Sequence, residues 1–156
     1  MIALEHIHPM IVHFPIVFFL TLAAFDIVAV VRRVDVTGRT STGNVSVGLA
    51  VLAALAAAVA AGFGDVALDI ARSHGLKSSI AETHERLGGL TAVIFVIWAV
   101  ARGVLWWRDI RLAGGSSMAV PIIEVVGTGL VMLTAYYGGV LVFDFGVNVT
   151  RAAGGR

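Results

Sequence analysis

The chain contains no cysteine. Disulfides, thiolate metal sites, cysteine-ligated iron–sulfur clusters and covalently attached haem are excluded together. Charge is scarce as well: only 13% of the 156 residues are Asp, Glu, Lys or Arg, against roughly 25% in ordinary soluble domains. That shortage argues against a soluble globular domain. Eleven Lys and Arg against ten Asp and Glu leave a net charge of +1 with no basic tract, so no nucleic-acid partner is expected. No Ser–His–Asp arrangement, carboxylate pair or phosphate loop can be argued from the spacing, which leaves enzyme catalysis without a signal.

What the chain has instead is apolar length, with 58% hydrophobic residues and a mean hydropathy of +0.94. Four runs reach the roughly 20 residues that a helix needs to cross the hydrocarbon core. They extend from about Ile11 to Val31, Val45 to Ile70, Ile80 to Trp107 and Val120 to Val142. The first opens on two His and a Pro with no basic segment before it, so it is read as a span and not as a signal peptide. The connections VRRVDVTGRTSTGN, ARSHGLKSS and RDIRLAGGSS have the Gly, Ser, Thr and Arg content of turns at an interface. The expectation is an all-α, four-helix bundle integral to the membrane. It is one four-span domain over 1–156, with antiparallel up-down connections and both termini on the same side of the bilayer.

The polar residues of this scheme segregate. All five histidines, His6, His8, His13, His74 and His84, fall near the side that holds the termini, here side A. Glu5, Asp65, Asp69, Glu82, Glu85 and Asp144 accompany them. The opposite side, B, has six cations, Arg32, Arg33, Arg39, Arg102, Arg108 and Arg111, against five on side A, Arg72, Lys77, Arg86, Arg151 and Arg156. The positive-inside rule then puts side B in the cytoplasm of an inner-membrane protein and the termini in the periplasm or outside. Trp106 and Trp107 at side B, and Phe143 and Phe145 at side A, are read as interfacial anchors.

Ionisable groups inside spans are costly and mark functional sites by default. If the first helix starts after His8-Pro9, where Pro suits the first helical position, His13 lies one turn inside it. A capping box at Ser79-Ile80-Ala81-Glu82 puts His84 one turn inside the third span. Both helices start from side A, so the two imidazoles are expected at one depth. Gly88, four residues after His84, lies on the same face and leaves room for a flat macrocycle. Asp65 is placed to accept the proton on the far nitrogen of a ligand histidine.

The candidate cofactor site is therefore His13, His84, Gly88 and Asp65. The alternative is a divalent metal at His13, His84 and His8 with Asp65 or Asp69, since imidazole and carboxylate suit zinc, iron or copper. Plainer readings compete. Small residues pack helices, His6, His8 and His74 can bond water or headgroups, and Asp65 can pair with Arg72 or Arg86. At side B, Asp26, Arg102 and Glu124 lie at comparable depth and are read as a structural clasp. Thr128 and Thr134 are the stepping stones of any path from that clasp towards Asp65. Paired repeats of the kind common in transporters are not expected in so short a chain, although a homo-oligomer would supply them.

Two segments carry a family likeness. HPMIVHFPIVFFL, from His8 to Leu20, resembles the HPxxVHFPI motif of a bacterial four-helix membrane family, domain of unknown function 2231. GGVLVFDFGVNV, from Gly138 to Val149, is similar to that family's closing GGxLVYxxGxxV segment, and Gly62-Phe63-Gly64-Asp65 approximates its G-x-x-D pattern. The resemblance spans nearly the whole chain and implies a four-span membrane domain, with His8 and His13 at motif positions. Relatives fused to Rieske iron–sulfur or cytochrome c domains imply electron transfer, with such proteins as redox partners. By analogy with small b-type cytochromes the resemblance implies haem held between histidines. Phe145 departs from the family, where His is common. The expected function is thus a membrane-embedded electron-transfer subunit that binds haem b near the periplasmic face. The alternatives are an accessory subunit of a larger redox complex without a cofactor, and the divalent metal site.

Overall fold

The computed structural model describes residues 7–147. Their regular structure is helical, in the order α1 (Ile7–Ile11), α2 (His13–Val31), α3 (Ser41–Ser73), α4 (Ser79–Trp107), a 3-10 turn (Gly114–Met118) and α5 (Ala119–Phe143). Four segments are long and apolar enough to cross a bilayer: Ile7–Val31, Ser41–Ser73, Ser79–Trp107 and Gly114–Phe143. His6, Glu5, Arg151 and Arg156 lie outside the described residues.

The first span is broken between α1 and α2 at Val12. Pro15 explains the break, because it has no N–H to give the Ile11 carbonyl four residues earlier and its ring crowds that carbonyl. The helix starts earlier than the sequence suggests, at least from Ile7. Pro9 sits within the first described turn of α1, and proline is tolerated in the first turn of a helix. His8 is therefore helical and lies inside the span.

The other helix starts are capped. Thr40 Oγ1 accepts from the Gly43 N–H at 2.9 Å, and Ser78 Oγ accepts from the Ala81 N–H at 3.4 Å. Ser78, and not Ser79, is thus the cap of α4, so N3 is Ala81 and the expected box does not form. Glu82 remains in the first turn, where a carboxylate favours the positive end of the helix dipole.

Helices α2, α3, α4 and α5 pack in a ring in which each touches its sequence neighbours and α5 returns to α2. α3 turns a stripe of alanine inward, Ala50, Ala53, Ala54, Ala57 and Ala60, while Leu52, Leu55 and Val59 face outward. Small residues inside let backbones approach, and large ones outside meet lipid tails. The central core joins these alanines to Phe19, Leu22, Ala92, Phe95, Ala99 and Val131.

At side B the two connections are tied together. The Arg39 N–H donates to Asp109 Oδ1 at 2.7 Å, and its guanidinium donates to the Trp107 carbonyl at 2.7 Å. Asp109 is held below the usual carboxylate range by that backbone donor and by Arg111. Trp106 is more than an interfacial anchor, since its Nε1–H donates to Asn44 Oδ1 at 2.7 Å.

Candidate functional site

Two imidazoles face each other at the side A end of the bundle. The rings of His8, on α1, and His84, on α4, have centroids 6.1 Å apart and planes 77° to one another. Both are partly buried. His8 Nδ1 lies 2.9 Å from the Ala60 carbonyl of α3, and His84 Nδ1 lies 3.0 Å from the Thr134 carbonyl of α5. A carbonyl only accepts, so each Nδ1 carries the proton. In the neutral form of each ring the Nε2 lone pair is left for something else.

Each ring lies against a glycine four residues after the carbonyl it binds. A Cβ on Gly64 would come within 3.0 Å of His8 Cε1, and one on Gly138 within 2.9 Å of His84 Cε1. At both places the missing side chain is what lets the imidazole reach the backbone.

This duplication extends through the molecule. His84, Phe95 and Arg102 follow His8, Phe19 and Asp26 by 76 residues each. Thr134, Gly138 and Gly127 follow Ala60, Gly64 and Ala53 by 74. The pairs at the first offset touch each other: His8 meets His84, Phe19 stacks on Phe95 at 3.8 Å, and Arg102 Nη1 lies 3.0 Å from Asp26 Oδ2. Contacts between equivalent residues are the mark of a two-fold arrangement. The α1/α2–α3 hairpin and the α4–α5 hairpin thus bring equally spaced residues together along the bundle, and the histidine site lies where the two hairpins meet.

A cavity of about 480 Å³ opens at this junction, within the range of roughly 300–1,000 Å³ common for small-molecule sites. It is walled mainly by apolar and small residues, among them Ala57, Ile16, Val131, Gly88 and Gly139. The space a Cβ on Gly88 would enter is open. Asp65 and Glu85 also line the cavity, and its lining residues include no Lys or Arg.

The structure therefore pairs His84 with His8 and not with His13. His13 contributes to the cavity wall but is exposed. The two residues are five apart, and at 3.6 residues per turn they diverge by roughly 140° around a helix. Once His8 is helical, His13 cannot share its face. Asp65 is exposed and is not the acceptor for the imidazole proton, which goes to a backbone carbonyl in both rings. Nor does it pair with Arg72, which binds Glu85 at 2.8 Å and Asp69 at 3.6 Å. His74 is exposed at the end of α3. Among the described residues no three His, Asp or Glu side chains stand together as a metal site. The three-ligand centre of His13, His84 and His8 is thus not assembled.

At the other end of the bundle, Asp26, Arg102 and Glu124 form the clasp that their depths suggest. Arg102 Nη1 reaches Asp26 Oδ2 at 3.0 Å and Glu124 Oε1 at 3.6 Å, and all three residues are buried. Ser46 Oγ donates to Asp26 Oδ2 at 2.7 Å and Trp98 Nε1–H to Glu124 Oε1 at 3.2 Å. The Phe19–Phe95 layer lies between this cluster and the histidines. Thr134 Oγ1 bonds to Thr91 Oγ1 at 3.0 Å, while Thr128 Oγ1 is buried without a partner. The two threonines do not form a continuous path.

Residues 5–151 match the family described as predicted membrane protein (DUF2231), and the chain belongs to that family. It is a multi-pass membrane protein whose apolar helices contact the bilayer. No curated protein and no solved structure matches it.

Proposed function

We propose that the protein is a membrane-embedded electron-transfer subunit that holds haem b between His8 and His84. The observation that carries the reading is the geometry of the pair. A metal ion about 2 Å from one nitrogen of each ring would set the ring centroids roughly 6 Å apart, and they stand 6.1 Å apart. The backbone carbonyls of Ala60 and Thr134 fix the ring tautomers and orient the two Nε2 atoms as donors, a common support for metal-binding histidines. The glycine-lined, largely apolar walls suit a flat macrocycle and restrict water. His13, exposed in the wall, is a basic side chain placed for the carboxylates of such a group. Haem held by two histidines supplies a one-electron couple inside the bilayer.

The accompanying expectations belong to the same proposal. Side A is periplasmic, in an inner membrane: five exposed cations at the opposite end, Arg32, Arg33, Arg39, Arg108 and Arg111, stand against three among the described residues at side A, Arg72, Lys77 and Arg86. Arg102 is buried in the clasp and adds nothing to that interfacial charge. A Rieske or cytochrome c type protein docks at side A as redox partner, and a homo-oligomer is compatible with the exposed helix faces.

The test is the reduced-minus-oxidised visible spectrum of protein purified from cells supplied with haem. Haem bands lost in His8→Ala and in His84→Ala, but kept in His13→Ala, are expected. No bands in the unmodified protein overturns the reading. Stoichiometric zinc or copper without porphyrin replaces it with a metal site, and neither group, with other subunits co-purifying, replaces it with an accessory role.

A further inference from the structure

The cluster at the side B end carries an imbalance that its ion pairs do not resolve. Asp26 from α2 and Glu124 from α5 are two carboxyls, and Arg102 from α4 is the one cation that reaches them. α3 contributes only the hydroxyl of Ser46. With both carboxyls ionised the cluster holds one uncompensated negative charge, although Asp26 and Glu124 are completely shielded from solvent. Isolated charge in such a place is strongly disfavoured, and groups there neutralise instead.

The hydrogen bonds show where the missing positive charge belongs. Asp26 Oδ2 already accepts from Ser46 and faces Arg102, and Glu124 Oε1 accepts from Trp98. The remaining two carboxyl oxygens, Asp26 Oδ1 and Glu124 Oε2, are buried with no partner. The two carboxyls converge on one nitrogen, Arg102 Nη1, at 3.0 and 3.6 Å, which sets them side by side. Two acceptors side by side cannot satisfy one another, but a single proton makes one of them a donor.

We propose that this end of the bundle is a proton-binding site, in which one proton is held by Glu124 and shared towards Asp26. Asp26 is the ionised partner, because it takes the shorter contact with Arg102 and the serine donor. The site is independent of whatever fills the histidine cavity, from which the Phe19–Phe95 layer separates it. Its position is where the two hairpins differ most: Asp26 and Arg102 occupy equivalent places with opposite charge, and Glu124 stands where α3 has Ala50.

The test is infrared spectroscopy of the full-length protein in lipid nanodiscs near neutral pH. Exposed carboxyls, with ordinary values near 4, are ionised there and give no C=O band of an un-ionised acid. A band of that kind is expected, lost in Glu124→Gln, whose amide keeps the shape and donor of the protonated acid. It shifts down when glutamate carries carbon-13 in the side-chain carboxyl, and stays put when aspartate does. The labelling needs no variant, so it decides the matter even where the substitution prevents folding. Absence of the band, a band that follows the aspartate label, or one that Glu124→Gln leaves intact overturns the proposal. So does a band erased by sodium chloride but not by choline chloride, which would make the site one for a metal cation.

Discussion

Phe19 stacks on Phe95 with ring centroids 3.8 Å apart and planes within 9° of parallel. The two rings come from equivalent positions of the two hairpins and meet at mid-depth, between the histidines and the Asp26–Arg102–Glu124 cluster. They divide the interior into two polar chambers of different chemistry, one with paired imidazoles beside a cavity and one with packed charges. The layer gives each chamber an apolar wall, which strengthens the electrostatic interactions inside it.

The seat of that layer is Gly127, where a Cβ would lie 2.7 Å from the edge of the Phe19 ring. Phe19 is 2% exposed and is held on its other face by Phe95, so it has little room to retreat. Gly127→Ala is expected to destabilise the protein by about 1–3 kcal/mol, the usual range for overpacking a filled core. Thermal unfolding in detergent measures it. Gly129, where a Cβ meets nothing within 4 Å, is the control and should tolerate Ala. Equal melting curves for the two variants would show that the aromatic layer is loosely packed.

Much of this was legible in the sequence, for definite reasons. Spans are set by hydropathy over some 20 residues, a signal strong enough to survive local irregularity. The clasp was legible because Asp26, Arg102 and Glu124 can be placed by counting along regular helix. The facing histidine pair differs from the expected one because counting fails at the start of α2, where Pro15 interrupts the helix and Pro9 does not. Hydropathy cannot see which carbonyl a proline leaves unpaired. The shared spacing of His8, Phe19 and Asp26 with His84, Phe95 and Arg102 was in plain view, and it would have selected His8 over His13. It is masked because few positions agree even in the interior, where Asp26 stands against Arg102 and Ala50 against Glu124.

The glycines beside the histidines are expected to act on binding and not on folding alone. Each imidazole is fixed by its Nδ1–H bond to a backbone carbonyl, so it cannot yield to a new methyl group without breaking that bond. Gly64→Ala and Gly138→Ala should therefore weaken retention of a group held by His8 and His84, by roughly tenfold for each lost hydrogen bond of about 1–1.5 kcal/mol. Gly62→Ala, at an open position, should not. Haem titration of the detergent-solubilised variants, followed at the Soret band, measures the difference. Similar affinities for all three would detach the histidine cradle from the proposed site.

Asp109 gives a pH dependence at the side B surface. Its carboxyl is held below the ordinary range by the Arg39 N–H and by Arg111. A depressed folded-state value means that ionised Asp109 favours the folded protein. Its contribution is fully present above the unfolded value near 3.9 and is lost as pH falls through the lower folded value. The stability difference between the unmodified protein and Asp109→Asn should be constant from neutral pH down to about 5 and shrink below about 4. Unfolding curves across that range measure it. A difference that grows in acid would mean that the contact between the two connections is unfavourable.

Arg102 tests what the buried charges do for the bundle. It is 2% exposed, and its guanidinium also donates to the Val36 carbonyl at 2.6 Å and to Ser46 Oγ. Its removal therefore frees a carboxylate and a backbone acceptor together. Arg102→Met is expected to cost about 3–5 kcal/mol, the range for stripping one partner from a buried ion pair. Removing every charge is a different experiment. In the combined variant Asp26→Leu, Arg102→Met, Glu124→Leu no carboxylate is left without its cation, and stability should return to near or above that of the unmodified protein. Recovery in the triple variant would show that the cluster is retained for what it holds and not for the strength it lends. Failure to recover would mean that the bonds to Val36, Ser46 and Trp98 hold the four helices together, and that the charges are part of the fold's own fastening.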